Sequence, residues 1–239
     1  MIEYELTGMD LGEIRFAVSP LNELTLSLRT WRDPGRYPLH LPWLRATGPA
    51  RATLDGEMLE ALTNADLWTP DFLSPRPVSP LTAFAGELAR IRDTPTAVVR
   101  EHLAAIHPTG LPPVLSGPTG KVLRRISAAL AEYWATCFEP WWPRMRAVLE
   151  ADIVYRGRMI ARLGMAEMLG DVSPRVRLIE NVVQFQPAGE PHQLSTVYRR
   201  RRHDPSSIAL RQVRIDSDHA PGATAADVRG ARHRDALGE

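Results

Sequence analysis

The first feature of this 239-residue chain that could do chemistry is the run Gly117-Pro118-Thr119-Gly120-Lys121. Backbone N–H groups of a glycine loop and a neighbouring ammonium can surround phosphate oxygens. The spacing is wrong for that: a phosphate loop needs glycine where Leu115 stands and a hydroxyl residue where Val122 stands, and no buried strand precedes it. The run reads as a loop leading into a helix. The seven histidines are scattered, with no i,i+4 pair around a glutamate and no cysteine in ligand spacing. Cys137 is the single cysteine and falls in an apolar helical stripe, where a thiol behaves as a small hydrophobe rather than a nucleophile. No serine elbow of the Gly-x-Ser-x-Gly kind occurs. The residues therefore point to no catalytic group, no metal ligand and no cofactor, and to a protein that is not an enzyme.

Two sets of residues could bind rather than react. The six tryptophans are many for this length, and several fall on proline-pinned segments. Trp31, Trp43, Trp68, Phe72 and Trp141 could line an apolar pocket for a small effector, while core packing is the other use of such rings. Arg199, Arg200, Arg201 and Arg202 could contact phosphate, although Asp204, Asp216 and Asp218 dilute the local field and a solvated tail accounts for the same run.

The elements that must position these residues are mostly helical. Ile2, Tyr4 and Leu6 alternate with polar residues, which predicts a short strand. Ser19-Pro20 predicts a capped helix carrying Leu21, Leu24, Leu28 and Trp31 and ending before Asp33-Pro34-Gly35. From Gly35 to Pro49 three further prolines predict an irregular segment. Asp55 caps a helix over 57–67, and the cap-then-proline pairs Ser79-Pro80 and Thr94-Pro95 predict two more helices. A long helix is predicted from Val122 to Cys137, ending or kinking at Pro140, and another beyond Pro143 to about Leu169, stopped by Gly170. Val176 to Phe185 reads as two strands turning at Glu180-Asn181. The fold expected is mainly α: a multi-helical domain with a minor β-sheet made of the amino-terminal strand and a hairpin near 175–186.

Hydrophobic residues make up 44% and charged residues 24%, the proportions of a folded protein rather than a disordered one. A net charge of +1 supplies no field toward nucleic acid or anionic lipid, so a phosphate partner would need a local patch. The acidic start lacks a signal-peptide pattern, and the apolar stretch from Ile126 to Trp142 is interrupted by Glu132, Glu139 and Pro140, so no membrane association is expected and a cytoplasmic location is. After about Pro187 large apolar residues thin out, which divides the chain into a helical effector or dimerisation domain, 1–186, and a disordered or weakly structured Arg-rich tail, 187–239.

Four landmarks fall in order: Ser19-Pro20-Leu21-Asn22-Glu23-Leu24, Leu39-His40-Leu41-Pro42-Trp43-Leu44, Pro70-Asp71-Phe72-Leu73-Ser74-Pro75, and Pro140-Trp141-Trp142-Pro143 followed by Asp152 and Arg156-Gly157-Arg158. Over residues 1 to 186 the chain resembles the amino-terminal region of a family of ArsR-like winged-helix transcriptional regulators from GC-rich bacteria. The resemblance implies DNA as a partner, through a carboxy-terminal winged helix. Residues 187–239 show no such pattern and resemble an out-of-frame or truncated remnant, so the expected role is the sensor or dimerisation portion of a regulator, with a homodimer and a small apolar effector as partners. The rival is a stand-alone module that binds a small molecule or a protein and has no catalytic activity. Deleting residues 187–239 is expected to leave a cooperative thermal transition, read by circular dichroism of the shortened chain.

Overall fold

The computed structural model describes residues 2–5, 16–180 and 182–186. They form eight α-helices and a three-stranded antiparallel sheet, so the fold is mainly α with a minor sheet. The described residues divide into two compact units: one runs from Ala17 to Val148, and the other joins the amino-terminal strand to residues 149–186. The span 1–186, read from the sequence as one helical domain, thus contains two hydrophobic clusters rather than one core. The reason is topological, since the sheet pairs the two ends of that span.

In the larger unit, α1 (Pro20–Arg32) begins where Ser19-Pro20 predicts. Ser19 Oγ accepts a hydrogen bond from the Asn22 N–H at 3.1 Å, and Pro20 occupies a first-turn position whose missing N–H costs nothing. Nine of its thirteen residues are buried, so the other helices surround it. The segment from Gly35 to Pro49 is not irregular, as the prolines suggest. Two 3-10 turns (Pro34–Arg36 and Pro38–His40) lead into α2 (Leu41–Arg51), with Pro42 in its first turn and Pro49 near its end. Prolines at those places remove few helical hydrogen bonds.

The helix α3 (Gly56–Ala61) is capped by Asp55, whose Oδ1 accepts from the Met58 N–H at 3.3 Å, and it stops well before Leu67. Ser79-Pro80 caps nothing. Leu81 instead forms a parallel bridge with Val18, the Val18 N–H donating to the Pro80 carbonyl at 2.8 Å, and α4 (Phe84–Arg92) starts only after Ala83. Thr94 likewise turns backward, donating to the Arg90 carbonyl at 3.2 Å, while α5 (Thr96–Ile106) has no side-chain cap. Next comes α6 (Thr119–Tyr133), which runs into a π-helical turn (Trp134–Phe138) ahead of Pro140.

The helix α7 (Trp142–Leu163) starts in the larger unit, and its residues from Leu149 belong to the smaller one, followed by α8 (Met165–Val172). The break falls at Gly164, whose φ of 90° favours glycine, and not at Gly170, which lies inside α8. β2 (Val176–Ile179) and β3 (Val182–Phe185) pair as the predicted hairpin, and β1 (Ile2–Glu5) adds to the other edge of β3, with Tyr4 opposite Val183. Met168, Leu169, Val176 and Val183 form this unit's core, and the buried Arg156 guanidinium bridges to Asp171 at 2.7 Å.

Two identical Ser-Pro signatures therefore do different work, and mutation separates them. Ser19→Ala is expected to cost about 1–2 kcal/mol by leaving a buried N–H without its acceptor. Ser79→Ala should change stability by no more than about 0.5 kcal/mol. Denaturant titration of the two variants checks the contrast.

Candidate functional site

The five aromatic residues predicted to line a pocket do not come together around one. Trp31 meets Tyr133 edge-on at 5.0 Å, and Trp43 meets Phe138 at 5.3 Å, so both pack against the main core. Phe72 is buried and stacks on His102 at 6.3 Å. Trp68 remains exposed, and Trp141 is half-buried between the π-turn and α7. Trp31, Trp43 and Phe72 belong to packing, with Trp31 and Trp43 linked through Tyr133 and Phe138. The Arg199 to Arg202 run lies outside the described residues.

The π-turn explains the concentration of rings. At Trp134 the helix admits one extra residue per turn, the Glu139 N–H donating to the Trp134 carbonyl at 2.8 Å across five positions. The indole N–H of Trp43 supplies the Cys137 carbonyl with a donor at 3.3 Å, where the helical register shifts. Phe84 stacks flat on Trp134 at 4.4 Å, and Trp142 meets the same ring edge-on at 5.5 Å. Arg51 lies 5.1 Å over the face of Trp31.

The titratable groups in this region are accounted for by structure. Burial pushes the Tyr133 phenol well above its ordinary range. Its partner Ser27, 2.6 Å away, already donates to the Leu24 carbonyl at 2.7 Å, so the phenol is the donor. Burial also raises the Cys137 thiol, which keeps it protonated and a poor nucleophile. On the surface, Arg125 grips Asp55 through two hydrogen bonds of 2.6 and 2.9 Å and holds that carboxyl below its usual range, tying α6 to the cap of α3. Among the described residues, no three His, Cys, Asp or Glu side chains gather as metal ligands would. No helix among them is long and apolar enough to cross a membrane.

A cavity of about 110 Å³ opens between α5, the loop after it and the start of α6. Its apolar lining is Leu103, Leu111, Leu115 and Val122, and Arg100 and Thr119 stand with it. The glycine-lysine run contributes Gly117 and Thr119 to this wall, Gly117 turning with φ of 108°. No sequence signal marked the place, because its residues come from two helices and a loop whose separate patterns read as core.

One carboxyl reports on the packing of α1. Removal from water raises Glu23 to about 7, against a smaller opposing effect of the Asn22 side chain. A carboxyl whose folded value lies above its unfolded one binds more protons when folded, so its contribution to stability is full below about pH 4.5 and is lost as pH rises to about 7. Glu23→Gln is therefore expected to raise the melting temperature at pH 8 and to leave it nearly unchanged at pH 4, by calorimetry at the two pH values.

No family model matches the chain, and no curated protein or solved structure is similar to it.

Proposed function

We propose that this chain is the sensing and dimerising portion of a transcription regulator of the ArsR-like type that its sequence resembles, acting without enzymatic chemistry. The observation that carries the reading is α7. Of its twenty-two residues only Arg156 is buried, while Val154 and Leu163 stay 52% and 60% exposed. A long helix with so little burial in its own chain, and with apolar side chains turned to water, fits a surface that a second copy covers.

The smaller unit supports a division of labour in which DNA is read elsewhere. Its order of strand, helix, glycine turn, helix and hairpin is that of a helix-turn-helix with a wing. The second helix of such a unit would meet phosphates and base edges. Here α8 carries no lysine or arginine, and its Glu167 is exposed, so the helix offers no cation to a polyanion. A small pocket in the larger unit, partly open to solvent and walled by Leu103, Leu111, Leu115 and Val122, offers a place where sensing could be looked for.

Light scattering coupled to size exclusion is expected to show a dimer. The double substitution Val154→Asp and Leu163→Asp should convert it to a monomer with unchanged circular dichroism. A wild-type chain that stays monomeric at every concentration reached would overturn the dimerising role and favour the stand-alone binding module. Tight, sequence-dependent retardation of its own upstream DNA would overturn the separation of sensing from DNA reading.

A further inference from the structure

We draw no further inference here: the strongest candidate, the outer edge of the smaller unit's sheet at β2, where Ile179 is 49% exposed, is an unpartnered apolar surface, and nothing in the structure shows what covers it.

Discussion

Burial of α1 on nearly every side is the constraint on which the larger unit depends. Leu21, Leu24 and Leu28 each contribute on the order of 1.5–3 kcal/mol when removed from water, but the helix cannot bury them without also burying Asn22, Thr25, Ser27, Arg29 and Thr30. Each polar group left without a partner would offset the gain from one leucine. The first-turn amides show how the cost is met. Leu21 N–H donates to Glu87 Oε2 of α4 at 3.0 Å, Asn22 N–H to Ser19 Oγ, and Glu23 N–H to the Ser19 carbonyl. Further along, Ser27 binds Tyr133 of α6, and Thr30 Oγ1 lies 3.2 Å from His40 Nδ1 ahead of α2. The helices around α1 are thus held in register by its hydrogen bonds as well as by its leucines.

The aromatic belt follows from the same demand. Tyr133, at the last position of α6, reaches Ser27 of α1 with its phenol, and the π-turn that follows widens the helix where Trp134, Cys137 and Phe138 enter the core. Trp43 from α2 then bonds to the Cys137 carbonyl, joining α2 to the same turn. Of the rings that looked like a ligand cage, Trp31 and Trp43 are spent on this junction. A small open pocket lies on another side of α6, at its first turn, beside α5.

The smaller unit depends on different physics. Its core is four buried apolar residues, too few to resemble the larger core, and a buried guanidinium bridged to Asp152 and Asp171 shares the work of holding α7 near α8. Around that small core Met159, Ile160 and Leu178 are only partly buried, so part of their apolar surface stays open to water.

Much of the fold was legible in the residues. Local chemistry determined it wherever a short-range rule had no competitor: the capped start of α1, the stripe of α6, and the hairpin with its turn at Glu180, where φ is 53°. Those features depend on spacing and on backbone conformations that a few side chains allow. The tertiary structure decided what long-range partners could change. Ser79-Pro80 carries the same letters as Ser19-Pro20, yet Val18 claims its backbone for a bridge, so no helix starts there. Prolines in 35–49 suggested irregular chain, but their places at helix ends let α2 form. The expected aromatic pocket did not form for the same reason, because a tryptophan's spacing shows that it packs and only its neighbours show against what. The cavity at Arg100 and Thr119 exists in no segment alone, since it is the space that two helices and a loop fail to fill once their own stripes are buried.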